Sequence, residues 1–201
     1  MSKIKVCILA IFFSINITVN LFSDEFPCFD KIENDNTNYY LDNRLDLIDI
    51  TVKNNRKWNI NNRRLILDIQ KQNPGYTIDG FGTIKKKYKK KFKAEIKVKY
   101  KDGNICIFAA DVRQHGDMMD HVRLANGNVF QSLSVSLING NINGVTKFIL
   151  FLSGTRKFDD EIFITELLRN LNYLAPRTKI TKVKVNNNSE VEMLFQEKAS
   201  K

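Results

Sequence analysis

The chain has 201 residues, of which 43% are hydrophobic and 27% are charged. This balance excludes an intrinsically disordered protein and predicts one globular domain with a hydrophobic core. The formal net charge is +10, so the protein has an excess of lysine and arginine whose place along the chain bears on its function.

The first segment has the pattern of a secretory signal. Lys3 and Lys5 form a short basic start, an apolar run follows at residues 6–22, and Ser23 stands before two acids. The pattern predicts an exported protein, periplasmic, secreted or in the cell envelope, with cleavage after Ser23. An uncleaved N-terminal anchor is the alternative, because the run is close to the shortest length that spans a bilayer.

Two cysteines, Cys28 and Cys106, follow the predicted signal. Export permits a disulfide between them, because exported proteins meet an oxidising environment. Cys106 lies in an apolar run, where an unpaired cysteine also packs well as a small hydrophobic residue. The sequence leaves both alternatives open.

Residues 24–90 are predicted to form a polar lead-in with one peripheral helix. Alternating apolar residues between Leu45 and Ile50 fit at most one short strand. Between Lys57 and Gln72 the apolar residues recur at helical spacing, and Asn73-Pro74-Gly75 then ends the helix.

The positive charge is concentrated in residues 85–101, which begin at Lys85 and end at Lys101. This segment has ten lysines and one acid, Glu95, so it contributes +9. One interpretation is that the lysines only reflect a composition that is rich in Lys, Asn and Ile throughout. The other is a basic face that binds an anionic polymer. Nucleic acid is disfavoured as the partner, because few aromatic or arginine side chains alternate with the lysines.

The next segments have the alternation of β-strands. Residues 91–101 alternate apolar and charged side chains, and Asp102-Gly103 is typical of a tight hairpin. Residues 105–112 are nearly all apolar, which predicts a central strand covered on both faces. Further strands are predicted at 132–137 and 145–152.

One well-marked helix follows. Asp159 or Asp160 can cap it, its apolar residues recur on one face, and Asn172 is suited to the left-handed closing position. Strands at 180–185 and 191–196 complete the chain. We therefore predict an α+β domain at residues 91–201, with a mainly antiparallel sheet and one principal helix.

The densest group of reactive side chains is the loop DVRQHGDMMDHVR, residues 111–123. Its candidate metal ligands are His115, Asp117, Asp120 and His121. Their spacing matches no common zinc motif, and a histidine beside a strand is more often structural. Alternatively, Gly116 allows backbone N–H groups to approach a phosphate.

Several segments together resemble the CotH family of atypical kinases. They are VRQHGD (112–117), QSLSVSL (131–137), DDEIFITELLRNLNYLAPRT (159–178) and VNNNSEVEMLFQEK (185–198). Asn186 and Glu197 match the family's last motif, whereas Asn187 and Val191 stand where it has glycine and Met193 where it has an aromatic residue.

The resemblance implies the small lobe of a kinase-like fold, with ATP and Mg²⁺ as cofactors. It implies Lys147 as the lysine that contacts phosphate and Glu166 as the carboxylate that holds this lysine. Arg113 and Gly116 are further phosphate-side candidates. The carboxylates of a second lobe are missing, so the resemblance implies that the chain alone is catalytically incomplete, whether as a truncated reading frame or a diverged module.

Two hypotheses about function follow. In the first, the protein is an exported kinase-like small lobe, whose partner is a protein substrate or the missing second lobe. In the second, it is a secreted or envelope binding or adhesion module that uses a basic sheet face for anionic ligands.

Overall fold

The computed structural model describes residues 45–74 and 82–198. The predicted signal, its cleavage site and Cys28 lie outside the described residues. Nine strands and two helices are described: β1 Leu45–Val52, α1 Asn55–Gln72, β2 Phe92–Tyr100, β3 Ile105–Gln114, β4 Val122–Ala125, β5 Asn128–Gln131, β6 Leu133–Leu137, β7 Lys147–Leu152, α2 Phe158–Asn170, β8 Thr178–Val185 and β9 Val191–Glu197.

Seven of these strands form a closed barrel in the order β1-β2-β3-β6-β7-β9-β8. All neighbours are antiparallel except β1 and β8, whose parallel pairing aligns Ile48 with Val183 and closes the barrel. The predicted α+β fold, with one principal helix and the likeness of a kinase small lobe, is therefore wrong. The strand that closes the barrel comes from the segment predicted as a lead-in.

The barrel interior is the main hydrophobic core. Ile50, Ile96 and Phe108 are fully or almost fully buried there, and the rings of Phe148 and Phe195 stack 4.5 Å apart. The pattern of β2 confirms the predicted alternation. The neighbouring strand β3 alternates in the same way from Ile105 to Gln114, as in small barrels generally.

Strand β3 differs from its prediction. Cys106, Phe108 and Ala110 point inward, whereas Ile105 and Ile107 are 45% and 53% exposed on the outer surface. The prediction that both faces are covered is wrong, because Ile105 and Ile107 on the outer face are exposed. Cys106 is disulfide-bonded, and its partner lies outside the described residues.

Helix α1 packs against one end of the barrel. Its first turn inserts Trp58 into the barrel core, where the indole meets Phe92 edge to face with ring centroids 5.1 Å apart. Its later turns form a second apolar cluster with the 82–88 segment, the 3-10 turn Met119–His121 and β4: Leu65, Ile66, Ile69, Ile84, Tyr88, Met119 and Val122.

Helix α2 lies on the outer surface of the barrel and is attached mainly by polar groups. The hydroxyls of Thr165 and Thr178 are hydrogen-bonded, and Gln196 Nε2 donates to Glu161 Oε2 at 3.2 Å. The helix begins at Phe158 without a side-chain cap, so the predicted aspartate cap is wrong. Asn172 has φ +61°, which confirms the predicted left-handed closing residue.

The β4–β5 hairpin is an element that the sequence analysis missed. Asn126 and Gly127 connect its strands with φ angles of +49° and +74°. Asn-Gly between two short apolar runs is a strong hairpin signal, so this element was predictable from the sequence. Among the described helices, none is long and apolar enough to span a membrane.

Candidate functional site

The most strongly charged surface surrounds a groove between α1 and the 3-10 turn Lys86–Tyr88. The groove has a volume of about 340 Å³. Its lining includes four cationic side chains and one carboxylate: Arg64, Lys71, Lys87, Lys90 and Asp68.

Hydrogen bonds hold the two walls of the groove together. Asn61 Nδ2 donates to the carbonyl oxygen of Tyr88 at 2.9 Å. At the other end, Gln72 Nε2 donates to the carbonyl oxygen of Thr83 at 3.1 Å, and the Thr83 N–H donates to Gln72 Oε1 at 3.2 Å. Between them, Lys85 Nζ lies 2.8 Å from Asp68 Oδ1. The lysine-rich segment is thus aligned along α1.

The local charge comes from both walls. Helix α1 and residues 85–91 supply eleven cations: Arg56, Lys57, Arg63, Arg64, Lys71, Lys85, Lys86, Lys87, Lys89, Lys90 and Lys91. Two acids pair with members of this group, Asp68 and Asp117. Eleven cations less two acids leave +9, compared with +10 for the whole chain. The charge excess is therefore located at one end of the barrel.

The acid within the groove remains ionised. Its hydrogen bond with Lys85, and then the charges of Lys85 and Lys87, hold the pKa of Asp68 below its ordinary value despite an opposing effect of burial. This carboxylate engages Lys85 and lies 3.9 Å from Lys87. Arg64, Lys71 and Lys90 are exposed and have no ion pair among the described residues, so they remain available to a ligand.

Beyond the groove, the lysine-rich segment is partly neutralised. Lys89 pairs with Asp117, and Lys93 Nζ lies 2.9 Å from Asp111 Oδ1. On β2, Lys97 and Lys99 lie opposite the exposed Ile107 and Ile105 of β3. The sheet face is therefore a mixed basic and apolar surface.

The two histidines of the 111–123 loop pack on the outside of β7. The rings of His115 and His121 meet edge to face with centroids 5.6 Å apart, and both contact the ring of Phe151. Burial, and then the charge of His121, lower the pKa of His115 to about 4. Burial also lowers the pKa of His121, although Asp120 opposes this effect. Both imidazoles are neutral at pH 7 and act as packing groups.

The four candidate metal ligands do not converge in the structure. The carboxylate of Asp117 is paired with Lys89, and Asp120 Oδ1 lies 4.0 Å from His121 Nε2. Within the described ranges, no group of three or more His, Cys, Asp or Glu side chains has the arrangement of a metal site.

Gly116 serves the packing of the histidine loop. Its φ is +90°, and a Cβ added there would overlap the ring of His121. This close approach accounts for glycine at the position without any phosphate contact. Arg113 lies on β3 opposite Ser134, between residues whose side chains are buried.

The structure does not bring Lys147 and Glu166 together. Lys147 is exposed at the start of β7 opposite Ser136, whereas Glu166 is paired with Arg169 one turn further along α2. No ion pair joins Lys147 to Glu166 among the described residues. The arrangement that the kinase resemblance implies is therefore not formed here.

The residues that match the family's last motif have structural contacts. Asn186 Oδ1 accepts a hydrogen bond from the Val52 N–H at 2.8 Å, which ties β8 to β1 where the barrel closes. Glu197 accepts from Arg177 Nε at 2.9 Å and from Nη2 at 3.1 Å, which joins the start of β8 to the end of β9. Both interactions stabilise the barrel.

The contribution of α1 to the basic surface was not predicted from the sequence. The signal was present, because α1 contains five cations and only one acid, Asp68.

A scan of the sequence against protein-family models finds no matching family, and a search of curated proteins finds no significant match.

Proposed function

We propose that this protein is an exported binding module for a linear anionic polymer of the cell envelope or the extracellular space. The groove between α1 and the Lys86–Tyr88 turn is the contact surface. The observation that supports this proposal most directly is the +9 charge of α1 and residues 85–91, where Arg64, Lys71 and Lys90 have no ion pair among the described residues.

The geometry favours a polymer over a compact ligand. Helix α1 has 18 residues, which corresponds to a length of roughly 27 Å at the usual helical rise. Cations occur from Arg56 near its start to Lys71 in its last turn. A chain with repeated negative charges can contact several of them at once, and each contact releases counterions.

The absence of an exposed ring in the described lining of the groove favours a ligand without stacking bases. Tyr88 is buried, and its ring is already beneath Lys87 Nζ at 4.9 Å. Proteins that bind single-stranded nucleic acid usually stack bases on exposed aromatic side chains. We therefore propose a polymer recognised by backbone charge, bearing phosphate or carboxylate groups.

The kinase hypothesis required the fold of a kinase small lobe, whereas the chain forms a closed barrel. We accordingly do not propose nucleotide or magnesium as cofactors.

The groove can be tested by two matched double variants. Arg64→Glu with Lys71→Glu changes the charge of the groove, and Lys182→Glu with Lys184→Glu makes the same change on β8. Binding of polyphosphate and of a polyuronate is measured over a range of salt concentrations. The groove variant is expected to bind more weakly and to lower the slope of log Kd against log salt by about two, one per lost contact.

The β8 variant is expected to retain most of the affinity. Equal losses in the two variants would show that only net charge matters, and this would contradict a defined groove. Comparison of the affinities for polyphosphate and for the polyuronate shows whether the preferred polymer bears phosphate or carboxylate groups.

The proposal of export rests on the N-terminal pattern, and a disulfide at Cys106 is compatible with an oxidising compartment. We expect the exported protein to begin at Asp24. Intact-mass measurement of protein recovered from the envelope or medium tests this, and a mass that includes residues 1–23 would instead support an uncleaved anchor.

A further inference from the structure

Helix α2 exposes a continuous apolar surface. Phe163, Leu167 and Leu171 recur at intervals of four, so they lie along one side of the helix, and Ile164 adjoins them. The chain then adds two more apolar side chains before β8. We call this set the α2 patch; its exposed fractions run from 40% to 105%: Phe163, Ile164, Leu167, Leu171, Tyr173 and Leu174.

The α2 patch is large for a monomer surface. A fully exposed side chain of this size presents roughly 150 to 250 Å², so the six present on the order of 700 Å². Contiguous apolar patches beyond a few hundred Å² usually mark an interaction site. The patch alone approaches the ~800 Å² that each partner buries in a standard interface.

Most of the charge of α2 is paired within the molecule. The helix has four acids, of which Asp160, Glu161 and Glu166 form ion pairs with Lys157, Arg156 and Arg169. Asp159 and Asp160 are exposed at the end of the helix from which the patch begins. Asp159 has no ion pair among the described residues, so a partner for this surface would be apolar at its centre with a cation beside Asp159.

The opposite wall of the same barrel has these properties. Ile105 and Ile107 are exposed on β3, and the Ile138 N–H donates to the Ala109 carbonyl oxygen, which brings the exposed Ile138 beside them. The adjacent strand β2 aligns Lys99 with Ile105 and Lys97 with Ile107. We call these residues the β3 patch: Lys97, Lys99, Ile105, Ile107 and Ile138.

The two patches cannot meet within one molecule. Helix α2 is hydrogen-bonded to β8 and β9 through Thr178 and Gln196. Around the barrel, β8 and β9 are separated from β2 and β3 by β1 on one side and by β7 and β6 on the other. The patches therefore face in nearly opposite directions.

We propose that the protein associates with itself head to tail, with the α2 patch of one molecule on the β3 patch of the next. Apolar side chains form the centre, and Asp159 of α2 lies near Lys97 or Lys99 of the neighbour. Because the contact joins two different surfaces on opposite sides, each addition leaves both patches open at the ends, and the chain of molecules grows. Such a row would also present several basic grooves to one polymer and bind it with avidity.

The test uses two variants of the purified exported protein, each with one patch interrupted at an exposed side chain. Leu167→Asp breaks the α2 patch and Ile107→Asp breaks the β3 patch. Ile60→Asp on α1 is the control, since Ile60 and Leu167 are 41% and 40% exposed. Sedimentation velocity over a range of concentrations gives the mass, and circular dichroism verifies that each variant is folded.

The unaltered protein and the Ile60→Asp control are expected to grow in mass with concentration, and each patch variant is expected to remain a monomer. A mixture of the two patch variants should form a dimer and no larger species, because each retains the one patch that the other lacks. If the unaltered protein remained a monomer at about 100 times a micromolar Kd, the proposal would be overturned.

Two other results would also overturn it. Association of Ile107→Asp alone, equal to that of the unaltered protein, would show that two α2 patches pair with each other. Binding of monomers to vesicles of neutral lipid that Leu167→Asp abolishes would assign the α2 patch to a membrane surface.

Discussion

Position 116 requires glycine because of a contact with a residue that is not adjacent in sequence. Its backbone has φ +90°, which side chains rarely adopt, and the ring of His121 occupies the space of a Cβ. Gly103, in the β2–β3 hairpin, has nearly the same φ of +89° but nothing near its Cβ position. Substituting Gly103 and Gly116 in turn therefore separates the energetic cost of the positive φ from the cost of the overlap with His121.

We expect Gly103→Ala to destabilise the protein by about 1 kcal/mol and Gly116→Ala by clearly more, about 3 kcal/mol or above. Both lose the freedom of glycine at positive φ, but only the second displaces His121. Urea unfolding of the two variants measures the difference. Equal losses would mean that the imidazole moves aside without cost.

At the scale of the element, β2 shows a strand whose two faces have different roles. Ile96 is fully buried in the barrel core, whereas the neighbouring Lys97 points outward. We expect Ile96→Ala to cost about 2 to 5 kcal/mol of unfolding free energy, because it removes buried methyl groups and leaves a cavity.

Lys97→Ala, the matched control in the same strand, is expected to change stability by no more than about 0.5 kcal/mol. Both are measured by chemical unfolding. Similar losses in the two variants would contradict the register of β2 against β1 and β3.

For the whole molecule, we expect the free energy of unfolding to decrease as the pH is lowered, because the fold keeps some titratable groups unprotonated. The pKa of His115 falls from 6.5 to about 4, chiefly through burial. Burial by itself would raise the pKa of Glu197, but hydrogen bonds and charge from Arg177 outweigh it and hold this pKa below its ordinary 4.5. In both cases the unfolded chain binds more protons, so acid favours unfolding.

The histidine contribution is lost between about pH 6.5 and 4, and that of Glu197 below about 4.5. We expect the urea midpoint to decrease as pH falls from 7 to 5. His115→Phe keeps a ring against Phe151 but cannot titrate, so its midpoint should change less over this range. An unchanged slope in this variant would mean that His115 is not the group responsible.

The sequence by itself determined the local elements. Alternation in residues 91–101 predicted β2, Asp102-Gly103 predicted its hairpin, and Asn172 was identified as the left-handed residue after α2. These features depend on side-chain period and on the φ angles that a residue tolerates, and both are local properties. The missed β4–β5 hairpin belongs to the same class, because Asn126-Gly127 was visible in the sequence.

Only the tertiary structure decided the closed barrel and the surfaces. Ile50 and Val185 align across the parallel β1–β8 pair although more than a hundred residues separate them, and alternation specifies a face of a strand without specifying its neighbour. For the same reason the sequence revealed that α2 has an apolar side but not that this side faces outward. The groove likewise required α1 and residues 85–91 to meet, since charges that are distant in sequence create a common field only when the chain brings them together.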